Sequence, residues 1–214
     1  MRFKLGGVRF HLSVFFALGL CVIALAETAE NLLIVIVSSL IHEFGHLAVL
    51  LGYGEKPKAI HIGVFGMEIR RSGNLHLSYA QECAVALSGP AVNLLLCLIL
   101  FGFQILFTSD FFLFPALANL ALALLNLLPI TPLDGGRALY FLLCRKKGEA
   151  QAQGITEKTG MLTLFPLSAL GFYVLIQSGY NYSLLAVCVY LCLFLLLEKS
   201  ESFCGKSRQK ISHK

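Results

Sequence analysis

Charged residues are scarce in this sequence. Only 14% of its 214 residues are Asp, Glu, Lys or Arg, whereas 57% are hydrophobic. A soluble domain usually carries about 25% charged and about 45–50% apolar residues. The shortage of charge, together with a mean hydropathy of +0.77, excludes a disordered chain, a nucleic-acid-binding module and a small secreted domain held by disulfides. The composition instead predicts a polytopic membrane protein with no nucleic-acid partner.

Long stretches without any charge predict the membrane spans. A bilayer core about 30 Å thick is crossed by about 20 apolar residues of α-helix. The sequence has enough such stretches for about six transmembrane helices, so the expected fold is an all-α polytopic membrane protein. The predicted spans are residues 10–26, 31–52, 83–109 and 111–133, and two more within 159–197 that are separated at 177–181.

Basic residues are absent from every second connecting segment. All 17 Lys and Arg residues lie in four segments, namely 1–9, 53–82, 134–159 and 198–214. The alternate loops contain Glu27, Glu30 and Asp110 but no basic residue. Because cytoplasmic loops of membrane proteins are enriched in Lys and Arg, we predict a multi-pass protein of the cell membrane with both termini in the cytoplasm.

No soluble block, internal repeat or low-complexity tract divides the sequence further. One integral-membrane domain at residues 1–200 is therefore expected. Residues 201–214 are polar and basic, and we predict that they form a cytoplasmic tail that contacts anionic lipid.

The segment between the second and third spans has a different pattern. Residues 59–71 and 75–79 flank Ser72, Gly73 and Asn74, and apolar and polar residues alternate along the second stretch. This pattern predicts a β-hairpin, associated with the membrane between helices 2 and 3. Three roles remain open: the ribbon dips into the membrane interface, its edge pairs with an extended peptide, or it closes a loop at the surface.

The second predicted span contains the pattern His-Glu-Phe-Gly-His at residues 42–46. Positions i and i+4 share one face of a helix, so His42 and His46 can bind one zinc ion. Glu43 lies beside them and can take a proton from water. Ionisable residues inside a membrane are costly and generally functional. The pattern therefore indicates a zinc site, against the simpler alternative of a buried polar cluster that only packs helices.

Asp134 is the strongest candidate for a third zinc ligand. A catalytic zinc site has three protein ligands and one open position. At about 1.5 Å per residue, His46 lies about 9 Å from the inner end of span two, and Asp134 approaches the same depth from the inner end of span four. Pro129 and Pro132 interrupt span four, which is tolerated where the chain lines a watered cavity. The alternative role for Asp134 is the N-cap of a helix over residues 135–144.

Two motifs in this order resemble those of the site-2 protease family of intramembrane zinc metalloproteases. They are HEFGH at residues 42–46 and NLLPITPLDGGR at residues 126–137. Residues 88–93, SGPAVN, are similar to the Gly-Pro-x-x-Asn stretch of that family. His11 and the Phe pair at 15–16 resemble the branch that contains the pro-sigma-K processing enzyme of sporulating bacteria. The resemblance covers most of the chain but includes no CBS or PDZ domain.

This resemblance implies a role for each matching residue. His42, His46 and Asp134 would bind one Zn²⁺ per chain, so the membrane domain would be a metalloprotease domain. Glu43 would be the catalytic base that activates water and then protonates the leaving amine.

Two asparagines in matching motifs are implied candidates for contacting the substrate or stabilising the oxyanion, namely Asn126 and Asn93. The alternative for both is hydrogen bonding between helices.

The implied activity is hydrolysis of a peptide bond in or near the cytoplasmic half of a transmembrane protein or peptide substrate, as in regulated intramembrane proteolysis. The lipid bilayer and a membrane regulatory partner are the other expected partners. The alternative is a non-catalytic zinc-binding membrane protein or transporter, although the outer halves of the spans lack the ionisable path that a transporter needs. A rhomboid-like serine protease would also have six spans, but Ala86 stands where its Gly-x-Ser-Gly pattern requires Gly.

Overall fold

The chain is mainly helical in the part that the computed structural model describes, which is residues 2–5, 8–12, 29–55, 57–63, 66–71, 77–179, 182 and 184–195. It forms two compact units, Met1–Leu127 and Leu128–Lys214. The helices of unit 1 are α1 (Ala29–Gly52), α2 (Tyr79–Phe107), a 3₁₀ turn (Asp110–Phe112) and α3 (Leu113–Asn126). The helices of unit 2 are α4 (Asp134–Lys147), α5 (Glu149–Ser178) and α6 (Leu184–Leu195).

Three of these helices are long and apolar enough to cross a membrane. They are Glu30–Gly52, Tyr79–Phe107 and Glu149–Ser178, and they correspond to the second, third and fifth predicted spans. The helices in the fourth and sixth predicted spans are apolar but shorter. Residues 10–12, the start of the predicted first span, belong to a strand, and the rest of that span lies outside the described residues.

The fourth predicted span, residues 111–133, is only partly helical. α3 ends at Asn126, and residues 127–133 form turns before α4 begins. Pro129 and Pro132 lie in this segment, and proline has no amide hydrogen with which to continue a helix. The break that the two prolines predict is therefore confirmed.

Unit 1 also contains a four-stranded sheet. Its order is β1 (Arg2–Leu5), β2 (Val8–Leu12), β3 (Pro57–Gly63) and β4 (Gly66–Arg71). The pairs β1–β2 and β3–β4 are antiparallel, and β2–β3 is parallel. The prediction lacks the first two strands because it assigns residue 10 onward to a span, although the sequence pair Gly6-Gly7 is a hairpin signal.

The two strands after α1 differ in position from the predicted hairpin. β3 and β4 divide the stretch 59–71, which is predicted as one arm, and Gly63 is paired with Gly66. Tyr79 begins α2, so its assignment to the second arm is wrong. The predicted turn at 72–74 lies outside the described residues.

A helix cap explains why α2 begins where the alternating pattern predicts a strand. The backbone N–H of Gln81 donates to Ser78 Oγ at 3.4 Å, and the backbone N–H of Ser78 donates to Gln81 Oε1 at 2.9 Å. This capping box satisfies backbone donors that a helix start otherwise leaves unpaired. The cap therefore starts a helix at Tyr79, which the alternation assigns to a strand.

Small and polar residues join α1 to its neighbours within unit 1. Gly45 of α1 lies so close to α2 that a Cβ atom on it would be 2.9 Å from the carbonyl oxygen of Ser88. Asn119 of α3 donates a hydrogen bond of 3.0 Å to Ser38 Oγ of α1. Small residues at such contacts let membrane helices approach closely, and here they bring α2 against the face of α1 that carries the histidines.

In unit 2, the turn segment before α4 is anchored in an apolar core. Ile130 is 0% exposed, and it packs against leucines of α5 and α6, namely Leu164, Leu191 and Leu195. Gly136 of α4 faces the backbone of Ile130, where a Cβ atom would clash. This packing holds the beginning of α4, where Asp134 lies.

Candidate metal centre

His42 and His46 lie one helical turn apart on α1. Both are buried, with 5% and 7% of their surface exposed. The Nε2 atoms of the two rings are 3.2 Å apart, and the rings are nearly perpendicular at 84°. The helix therefore directs one nitrogen of each predicted ligand toward the same point.

The other ring nitrogen of His46 contacts the backbone of α2. His46 Nδ1 lies 2.7 Å from the carbonyl oxygen of Val85, and the hydroxyl of Ser88 donates to the same oxygen at 2.7 Å. Because a carbonyl only accepts hydrogen bonds, Nδ1 of His46 carries the proton and Nε2 keeps its lone pair. A contact of this kind orients a histidine toward a metal ion.

The other ring nitrogen of His42 faces Asn93, which is 0% exposed. Asn93 Nδ2 is 3.3 Å from His42 Nδ1. Asn93 Oδ1 has no hydrogen-bond partner among the described residues. Asn93, one of the two predicted asparagines, thus contacts a candidate ligand directly.

Gly89 of α2 lies directly beside both Nε2 atoms. A Cβ atom at this position would be 2.7 Å from Nε2 of His42, and it would also clash with Nε2 of His46. Real Cβ atoms essentially never come within 3.0 Å of such a neighbour. The missing side chain of Gly89 therefore keeps the space beside the two nitrogens open.

Asp134 is the first residue of α4 and is 7% exposed. The N-cap of this helix is Leu133, so the alternative role of Asp134 as the N-cap is wrong. A carboxylate in the first turn is nevertheless favoured by the positive end of the helix dipole. The guanidinium of Arg137 lies 4.0 Å from Asp134 Oδ1 and is largely solvated, with 45% of the side chain exposed.

The three predicted metal ligands, His42, His46 and Asp134, are all buried. Two nitrogens bound to one tetrahedral zinc ion at about 2.0–2.1 Å are about 3.3 Å apart. The 3.2 Å between the two Nε2 atoms agrees with this value. Two imidazoles and a carboxylate are also a donor set that catalytic zinc uses, so the residues fit a zinc ion.

The remaining predicted residues, Glu43 and Asn126, lie on α1 and α3. Glu43 follows His42 on α1 and is 9% exposed, so its carboxylate lies in the protein interior. Asn126 ends α3, and its Nδ2 donates to the carbonyl oxygen of Leu122 at 3.0 Å. An amide nitrogen has two hydrogens, so Asn126 keeps one for a further acceptor.

Three residues of α2 contribute to the site without having been predicted, namely Val85, Ser88 and Gly89. The motif at residues 88–93 is the signal that could have revealed two of them, although it suggested a role for Asn93 alone. Val85 contributes its carbonyl oxygen, which every residue type has, so no sequence pattern could have revealed it.

One family model and several known proteins are similar to parts of this chain. The family model of peptidase family M50 matches residues 105–167, a range that contains Asn126 and Asp134. The chain is 31% identical over 137 residues to stage IV sporulation protein FB of Bacillus subtilis (strain 168), which covers 62% of this chain and 46% of that protein. It is 28% identical over 208 residues to a zinc metalloprotease of Methanocaldococcus jannaschii, covering 84% of this chain and 57% of that protein. The matched region thus spans about half the length of these relatives.

The fold is similar to that of a solved protease. The structure of a site-2 protease from Methanocaldococcus jannaschii superimposes with a TM-score of 0.65 at 23% sequence identity. The match covers 92% of this chain and 94% of that one.

Proposed function

We propose that this chain belongs to the site-2 protease family of zinc metalloproteases and hydrolyses a peptide bond in the transmembrane segment of a substrate. His42, Glu43 and His46 lie on α1, which is long and apolar enough to cross a membrane. A reaction at these residues takes place within the bilayer, so the substrate is a membrane-embedded protein or peptide. The proposed process is regulated intramembrane proteolysis.

The observation that carries this proposal is the pair of Nε2 atoms of the buried residues His42 and His46, which are 3.2 Å apart on the helix that also carries Glu43. A structural zinc site is almost always closed by four protein ligands, whereas a catalytic site has three and keeps one position open. His42, His46 and Asp134 are three predicted ligands. This number and the neighbouring carboxylate of Glu43 support a catalytic site over an inert one.

The roles of the residues follow from their chemistry. His42, His46 and Asp134 hold one zinc ion. When bound, zinc supplies a Lewis acid that polarises the scissile carbonyl and lowers the pKa of water to about 7. Glu43 takes a proton from the attacking water and gives it to the leaving amine nitrogen as the C–N bond breaks. Asn126 is our candidate donor to the carbonyl oxygen, through its second amide hydrogen.

The proposal includes six spans with both termini in the cytoplasm, a membrane-associated ribbon at β3 and β4, and a basic tail at residues 201–214. In this orientation α1 runs from outside to inside, and His46 lies about 9 Å from its inner end at about 1.5 Å per residue. The scissile bond therefore lies in the cytoplasmic half of the substrate span or just beyond it. A membrane regulatory partner that controls access belongs to the same proposal.

The position of the cut tests this function. Zinc-loaded protein in lipid nanodiscs is incubated with single-span substrates in which a Gly-Asn pair is moved along the span. We expect product termini in the inner half of the span, and faster cleavage when the pair lies there, because residues of low helix propensity reduce the cost of unwinding. Mass spectrometry locates the termini. Cleavage in the outer third contradicts the orientation, and cleavage that survives removal of zinc by a chelator contradicts the zinc protease.

Zinc content tests the ligands separately from activity. We expect about one zinc ion per purified chain. Asp134→Ala should weaken zinc retention, and His42→Ala or His46→Ala should weaken it further, because each removes a ligand. Asp110→Ala is the matched control, since Asp110 is exposed in the 3₁₀ turn, and it should retain all of the zinc. Unchanged zinc content in all three ligand variants, measured by elemental analysis, would refute the assignment.

A further inference from the structure

We propose that Asn93 is a positioning residue for the metal centre: its amide oxygen accepts a hydrogen bond from the Nδ1–H group of His42. The inference rests on the proposed zinc site and concerns the protonation and orientation of one ligand. A ring nitrogen binds a metal ion through its lone pair, so the other nitrogen of a neutral histidine has to carry the proton. The hydrogen bond at that other nitrogen determines which of the two binds.

The geometry of His42 assigns a role to each of its nitrogens. Nε2 faces the Nε2 atom of His46 at 3.2 Å, at the proposed zinc position. Nδ1 lies 3.3 Å from the amide of Asn93. The proton therefore belongs on Nδ1 when His42 binds a metal, and a buried N–H group requires an acceptor.

The amide of Asn93 can supply that acceptor once its two ends are exchanged. The nitrogen and oxygen of an asparagine amide have nearly the same shape, and their assignment is inferred from hydrogen bonds. In the present orientation the nitrogen faces His42, and Oδ1 has no partner among the described residues. In the exchanged orientation, Oδ1 accepts a hydrogen bond from the Nδ1–H group of His42. The amide nitrogen then takes the present position of Oδ1, where the oxygen has no hydrogen-bond donor among the described residues.

The same helix already provides the equivalent contact for His46. The carbonyl oxygen of Val85, also on α2, lies 2.7 Å from Nδ1 of His46. With Asn93 as acceptor for His42, α2 determines the tautomer of both histidines. Asn93 is 0% exposed, so its amide is not in contact with bulk water. Burial also favours a role through His42 over direct contact with a substrate.

The test compares Asn93→Asp with Asn93→Leu in the purified full-length protein. Both replacements are close to Asn in size, but Asp keeps an acceptor oxygen and Leu has none. We expect Asn93→Leu to weaken zinc binding by about 10–100-fold. Asn93→Asp should stay within about fivefold of the unchanged protein, because carboxylates commonly orient metal-binding histidines. Competition with a chromophoric chelator measures the affinity without reference to cleavage.

A second asparagine provides the control. Asn119 of α3 is 2% exposed and donates to Ser38 instead of a histidine, so Asn119→Leu should leave zinc affinity unchanged. Equal zinc affinity of Asn93→Leu and the unchanged protein would overturn the inference. An equal loss in Asn93→Asp and Asn93→Leu would also overturn it, because packing would then explain the effect.

Two further results keep the test decisive. If Asn93→Leu does not fold, the zinc affinity of Asn93→Asp decides: retention supports the inference and loss overturns it. If the unchanged protein binds no zinc, the proposed function itself is refuted. This result differs from failure of the Asn93 inference, in which the unchanged protein binds zinc.

Discussion

The Glu43→Gln variant is expected to lose proteolytic activity while it keeps its zinc. Gln has nearly the size of Glu, but its amide cannot take up a proton from water at neutral pH. A positioned acid–base group contributes about 10²–10⁴-fold to a rate, so cleavage of a single-span substrate should slow by at least that factor. Glu43 is not one of the three proposed ligands, so elemental analysis should still find about one zinc ion per chain.

The matched control is Glu30→Gln. It makes the same chemical change on the same helix, but Glu30 lies in the first turn of α1 and is exposed. Cleavage by this variant should proceed at the rate of the unchanged protein. Full activity of Glu43→Gln would exclude Glu43 as the general base. Loss of its zinc would indicate that Glu43 holds the site together instead of transferring protons.

The Gly89→Ala variant is expected to lose both zinc affinity and activity, although Ala adds only a methyl group. The new Cβ atom would be 2.7 Å from Nε2 of His42 and would clash with Nε2 of His46. Either the rings turn away from the zinc position or α1 and α2 separate. Overpacking of this kind costs about 1–3 kcal/mol, which corresponds to about a 5–150-fold weaker affinity. Chelator competition measures that change, and cleavage should fall with it.

The Gly102→Ala variant isolates this effect. Gly102 lies on the same helix, and a Cβ atom there would meet nothing within 4 Å. Both substitutions raise helix propensity by about 1 kcal/mol, so a difference between them reports the contact with the histidines. If the two variants bind zinc equally well, the missing side chain of Gly89 is not what keeps the metal position open.

Features that depend only on residues close together in the sequence could be predicted without the structure. His42 and His46 share a face in any α-helix, and α1, Ala29–Gly52, agrees closely with the predicted span at 31–52. Pro129 and Pro132 interrupt a helix through their own covalent structure, and α3 ends before them. These predictions needed no knowledge of the rest of the chain.

Strand positions were predicted less well because several turn signals compete in the same segment. The turn was assigned to 72–74, whereas the pair Gly63 and Gly66 joins two strands within the first predicted arm. The alternation of residues 75–79 resembles a strand, but the capping box at Ser78 starts a helix at Tyr79, the last of these residues. A period of two along five residues is too short to outweigh a cap that satisfies backbone donors directly.

Composition and motif spacing predicted the membrane class, the candidate ligands and the resemblance to a protease family, because these are properties of the chain before it folds. Packing was needed to show what surrounds the histidines. The Val85 carbonyl and the Asn93 amide are 39 and 51 residues from the rings they contact, and Gly89 contributes the absence of a side chain. These groups reach the site only because α1 and α2 approach closely at Gly45. A carbonyl oxygen or an empty volume has no signature in residue type, so the folded protein alone reveals how the metal position is oriented and kept open.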